Sequence, residues 1–211
     1  MKQNIFLTGF MGSGKSHWGH IWASVNGYTF YDLDIEIEKT CKLKVEEIFK
    51  KHGEFKFREM ERTHLQKFEN KKKCLVACGG GAPCFFDNMQ YMRSHGVVIY
   101  LKASPQYILN RVMDETEKRP LLKEVNTSEL LFFIQQKLKE REPEYLKAHH
   151  ILEVTSLSKK SLQFLFEQAS EKTLSKKNDE AKESSGETKE IKFSGIKEPS
   201  KKYKTSTEHH A

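Results

Sequence analysis

The 211-residue chain carries 36 lysines and arginines against 29 aspartates and glutamates, a formal charge of +7, with 37% hydrophobic residues. That length suits one domain plus a tail, and so small a basic excess, with no RNP or zinc-finger signature, suits anionic small substrates and argues against a nucleic-acid partner. Cysteines 41, 74, 78 and 84 lack zinc-like spacing, no signal-like segment follows Met1, and no run approaches membrane-spanning length, so a cytoplasmic protein with reduced thiols and no membrane partner is expected.

The first predicted strand, Asn4–Leu7, runs into Gly9-Phe10-Met11-Gly12-Ser13-Gly14-Lys15-Ser16, which a helical pattern over 15–25 follows. This is G-x-x-x-x-G-K-[ST] in the strand-then-helix setting that a phosphate-binding loop requires. Gly9, Gly12 and Gly14 let consecutive N–H groups turn inward, and the helix N-terminus adds partial positive charge. Lys15 would reach the β- and γ-phosphates, and the Ser16 hydroxyl would hold Mg²⁺. An ordinary glycine-serine turn needs neither flanking element.

A second strand, Thr29–Asp32, precedes a helix near 34–39. Asp32 and Asp34, two apart at a strand end, are expected to share a face. One would lie near a metal held by Ser16 and the other would accept from a substrate hydroxyl; a plain helix-capping role fits equally. Helices follow over 45–51 and 54–69. In the latter, Arg58 has the fork that grips a carboxylate, or else it pairs with Glu61 on a solvated face. The third strand, Cys74–Cys78, ends in Gly79-Gly80-Gly81, where backbone must come close to something.

Helix 85–94, strand Val97–Leu101 and helix 105–114 lead to the polar stretch Asp114–Asn126, a lid candidate (about 112–126) in which Arg119 could meet a migrating phosphoryl group. In helix 127–142, Leu130, Leu131, Ile134 and Leu138 share a face, and Pro143 is expected to close it at or before Glu142. Arg141 then lies at a helix end, where it could simply compensate the dipole. Strand His150–Val154 and helix 158–169 complete the domain, 1–170. The tail, 171–211, holds ten lysines and eight acids with few large apolar residues and is expected to be disordered. Strands alternating with helices predict an α/β fold, a parallel sheet covered on both faces with ligands at the strands' carboxyl ends.

In order, Gly9–Ser16, Asp32-x-Asp34, Phe57-Arg58-x-x-Glu61, Gly79-Gly80-Gly81, Arg119-Pro120 and Arg141-x-Pro143-x-Tyr145 resemble the shikimate kinase family over about residues 3–168. The resemblance implies a P-loop nucleoside-kinase-like three-layer fold, a five-stranded parallel sheet of order 2-3-1-4-5, and a lid. It implies transfer of the ATP γ-phosphoryl group to the 3-hydroxyl of shikimate, on the route to chorismate and aromatic amino acids. The catalytic residues would be Lys15, Asp34 and Arg119. Nucleotide would be held by Gly12, Ser13, Gly14, Lys15, Ser16, His17, Arg111 and Arg119. Substrate would be held by Asp34, Arg58, Gly79, Gly80, Gly81 and Arg141, and Mg²⁺ by Ser16 and, through water, Asp32. The chain departs from the family in having Cys78 where a hydroxyl residue is common and no proline in the 155–160 loop. A monomer is expected. The rival readings are a gluconate or nucleoside monophosphate kinase of the same fold, and a non-catalytic nucleotide-binding regulator that uses the tail to meet a partner.

Overall fold

In the computed structural model, residues 3–113, 122 and 126–167 are described. The elements are β1 (Asn4–Thr8), α1 (Lys15–Asn26), β2 (Thr29–Asp32), α2 (Leu33–Cys41), α3 (Val45–Gln66), β3 (Cys74–Ala77), α4 (Asn88–His95), β4 (Gly96–Lys102), α5 (Pro105–Val112), α6 (Leu130–Tyr145) and β5 (His150–Glu153). The five strands form one sheet in the order β2-β3-β1-β4-β5. Every pairing is parallel, with β1 between β3 (Ile5 opposite Leu75) and β4 (Ile5 opposite Val97).

Period-two alternation sends neighbouring strand residues to opposite faces. Ile5, Leu7, Leu75 and Ile99 pack on one face with Trp22 of α1, Ile108 of α5 and Ile134 of α6. Phe6, Val76 and Val98 pack on the other with Leu33 of α2, Ile48 and Leu65 of α3, and Met92 of α4. Helix, sheet and helix thus make three layers. Asn4 fastens the central strand to its neighbour. Its amide donates to the carbonyls of Phe68 (3.0 Å) and Lys71 (2.9 Å), and its oxygen accepts from the Cys74 N–H (3.0 Å).

Four local expectations are corrected. Strand β3 stops at Ala77, so Cys78 lies beyond it, although its N–H still reaches the Leu7 carbonyl at 3.0 Å. The helix expected over 85–94 is a 3₁₀ turn, Ala82–Cys84, followed by α4 at Asn88, because Phe86 takes φ 53 and interrupts the helical path. Within α3, Gly53 (φ 77, ψ 168) breaks the helix where the two segments 45–51 and 54–69 were separated, and the second ends at Gln66. Pro143 does not close α6, which runs to Tyr145. One more turn is held there by the Leu146 N–H on Glu142 (2.8 Å) and by Tyr145, which is fully buried against Tyr100.

Candidate active site

The loop between β1 and α1 sits at the carboxyl end of the central strand. Gly9, Gly12 and Gly14 have φ of 138, 76 and 89, a region side chains rarely enter, and Gly14 caps α1. Lys15 folds back, its Nζ donating to the carbonyls of Gly9 and Phe10 at 2.9 Å each. Ser13 is fully buried within the loop. Its N–H is spent on the Phe10 carbonyl (3.2 Å), and its buried hydroxyl has no partner among the described residues, so it shapes the loop from inside.

A cavity of about 280 Å³ opens on this loop and is lined by Gly12, Gly14, Lys15, Ser16, His17, Asp32, Asp34, Gly79, Gly80 and Arg111, with Met11, Ala77 and Cys78. The ends of β1, β2 and β3 therefore converge as the topology requires. At its floor the Ser16 hydroxyl donates to Asp32 Oδ2 at 2.6 Å. Asp32 is also the N-cap of α2, its Oδ1 accepting from the Asp34 N–H at 3.1 Å, so the capping and site readings hold together. The shared strand face does not. Asp34 lies in the first turn of α2 and reaches the cavity from a helix. The Cys78 thiol turns to Met92 Sδ (3.5 Å) inside the core, and burial pushes its pKa well up. Arg111 lies along the wall with its guanidinium 5.5 Å from the Tyr107 ring centroid and bonded to the Tyr107 hydroxyl at 3.1 Å.

Arg58, Arg141 and Gly81 do not line that cavity; the two arginines stand against the glycine triplet, Arg58 at Gly81 and Arg141 at Gly80. A Cβ on Gly79 would lie 2.3 Å from Glu61 Oε1 and 2.9 Å from Asp34 Oδ1, and one on Gly81 would lie 2.4 Å from Arg58 Cζ. The triplet is thus glycine because charged side chains press on its backbone. Arg58 does pair with Glu61 at 2.7 Å, but both are buried, 3% and 0% exposed, so the solvated-face reading is overturned. Arg141 is also buried, over the Phe10 ring at 5.6 Å and a full turn inside α6, so it does not serve the helix terminus.

Burial, then Asp32, pushes the Asp34 carboxyl up to about 6 against the pull of Lys15 and Arg58. Burial likewise pushes Glu61 up to about 7 against Arg58. Burial alone would lower the Arg58 guanidinium, but Glu61 and Glu54 outweigh it, and its pKa is raised. These directions agree: a dry pocket penalises each charge, while the pair keeps the cation protonated. Glu61 was legible as a motif residue and as a possible surface partner, and nothing in its spacing announced that it is fully buried. Phe85, whose ring centroid lies 4.7 Å from the Arg58 guanidinium, carried no signal at all.

Arg119 and most of the lid, about 112–126, lie outside the described residues, as does the tail from 171. No cluster of three or more His, Cys, Asp or Glu among the described residues could hold a metal. The hydroxyl and carboxylate oxygens of Ser16 and Asp32 do suit a hard cation that takes its other ligands from phosphate and water.

The shikimate kinase family profile matches residues 11–178. The shikimate kinase of Phocaeicola vulgatus is 38% identical over 156 residues, 74% of this chain and 89% of that protein. The crystal structure of shikimate kinase from Bacteroides thetaiotaomicron superposes with a TM-score of 0.74 at 35% identity, covering 79% of this chain and 99% of that one. Shikimate kinase from Acinetobacter baumannii in complex with shikimate superposes at 0.73 with 32% identity, covering 80% and 95%.

Proposed function

The chain belongs to the shikimate kinase family, an ATP-dependent kinase acting on a hydroxyl group of shikimate, and we propose the following division of labour among its residues. The inward amides of Gly12 and Gly14, with Lys15 and the start of α1, hold the β- and γ-phosphates. His17 and Arg111 extend that grip toward the nucleoside. Ser16 and, through water, Asp32 would hold Mg²⁺, which would supply charge neutralisation on the phosphates.

On the other side, Arg58 and Arg141 seat the ring carboxylate, and the Gly79–Gly81 backbone lies against the ring. Asp34 accepts the proton of the 3-hydroxyl as its oxygen attacks the γ-phosphorus. A carboxylate raised to about 6 is ionised at neutral pH yet close enough to it to take a proton usefully. The observation that carries this reading is Asp34 itself: buried, lining the phosphate cavity, and under the charge of both Lys15 and Arg58. It belongs to both halves of the site.

An ADP-release assay with shikimate, gluconate and nucleoside monophosphates as acceptors tests it. Turnover with shikimate alone is expected; turnover with either of the others, or intact ATP binding without transfer to shikimate, overturns it. The expectation of a cytoplasmic monomer belongs to this proposal. Unchanged turnover after removal of 171–211 is the expected result for the tail.

A further inference from the structure

We propose that Glu54 is a built-in competitor for the substrate's carboxylate at Arg58, a positioning residue that sets how tightly the acid is held and how readily product leaves. The proposal rests on the reading of Arg58 as an acid-binding arginine. It starts from how completely that guanidinium is enclosed. One face lies under Gly81, whose Cβ would fall 2.4–2.5 Å from Cζ and both terminal nitrogens. Phe85, Phe57 and Phe49 stand around it with ring centroids at 4.7, 5.4 and 5.7 Å. A ligand is therefore left with the edges.

Two carboxylates hold them. Glu61 Oε2 accepts from Nη1 at 2.7 Å, and Glu54 Oε1 accepts from Nη2 at 2.6 Å and from Nε at 3.1 Å. The two are not equivalent. Glu61 is 0% exposed, so leaving would bury a bare charge, whereas Glu54 is 42% exposed and can swing into water. Glu54 also follows directly on Gly53, the break in α3, so it opens a new helical segment. The Nε/Nη2 edge suits side-on recognition of a carboxylate, and the half-exposed Glu54 is the group that holds it among the described residues.

Exchange at that edge conserves charge: one carboxylate arrives as another departs, and the 3%-exposed Arg58 is never left unpaired. An internal competitor lowers apparent affinity by the fraction of time it leaves the edge open. The phosphorylated product carries the same carboxylate, so the return of Glu54 also helps to expel it.

The test uses the full chain, with Glu54→Ala and Glu54→Gln beside the unaltered protein, and titrates shikimate and shikimate 3-phosphate by calorimetry. Both dissociation constants should fall, by about three- to tenfold for Ala. Gln should lie between, since its oxygen still accepts but carries no charge. KM for shikimate should follow Kd, and kcat should not rise. Unchanged or weaker binding in both variants overturns the proposal and makes Glu54 a substrate contact or a simple prop for Arg58. If the unaltered protein neither binds nor phosphorylates shikimate, the functional reading fails separately. Benzoate, followed by NMR, then probes the edge as a bare carboxylate; failure of its binding to tighten in Glu54→Ala sinks the competitor.

Discussion

The phosphate side and the acid side of the cleft are built by opposite means. Eight consecutive residues, Gly9–Ser16, make the first largely from backbone, and their conformation is dictated locally by three glycines and a helix start. The second is assembled from side chains of α2, α3, α6 and the loop after β3, and its charges are buried and mutually dependent. A backbone cradle tolerates the loss of a side chain without disturbing the fold. A buried charge cluster does not.

The largest expected effect is therefore at Arg58. Arg58→Ala leaves Glu61 buried without its cation, so shikimate binding should weaken on the order of 10²–10³-fold. Stability to urea should fall by about 3–5 kcal/mol, with ATP affinity unmoved. Arg58→Lys should recover part of the stability but little of the binding, because the fork is gone. Loss of ATP affinity with shikimate binding intact would reverse the assignment.

Lys15→Ala should show the opposite signature. Phosphoryl transfer should fall roughly 10²–10³-fold in kcat, with the calorimetric Kd for shikimate and the unfolding midpoint close to those of the unaltered protein. A stability loss as large as that of Arg58→Ala would erase the contrast between the two sides.

Asp34 joins the two sides, and its effect on stability should be smaller and dependent on pH. Its folded pKa, about 6, lies above the ordinary 3.8, so the native state binds the proton more tightly than the unfolded chain does. The group's contribution is favourable below about pH 4 and is lost as pH rises through 6, leaving an ionised buried carboxylate that costs about 3 kcal/mol at pH 8. Asp34→Asn should thus abolish transfer yet stabilise the fold by about 1–3 kcal/mol at pH 8, the gain vanishing by pH 4. A pH-independent difference in urea unfolding would show that burial of Asp34 is not the cause.

The same contrast explains what the sequence disclosed. The phosphate loop, the five strands and the helix break at Gly53 follow from local rules of periodicity and glycine geometry, and all lie within a residue of where those rules put them. Arg58 with Glu61 reads identically whether three-apart charges face water or a core, and only tertiary packing decides. Pro143 shows tertiary anchoring overriding a local stop, because Tyr145 is worth more to the core than the helix loses at the proline. Asp34 was found for a reason that does not hold, since a helix turn and not a strand face aims it into the cavity.

The glycine triplet also has a polarity. The Gly79 carbonyl accepts from the Ala82 N–H at 3.0 Å, that of Gly81 from Cys84 N–H at 2.8 Å, and that of Gly80 from the Tyr145 hydroxyl at the end of α6. Each of its three oxygens thus already takes one hydrogen bond from within the protein, which pins the course of the strip and leaves each carbonyl a single lone pair for a visitor.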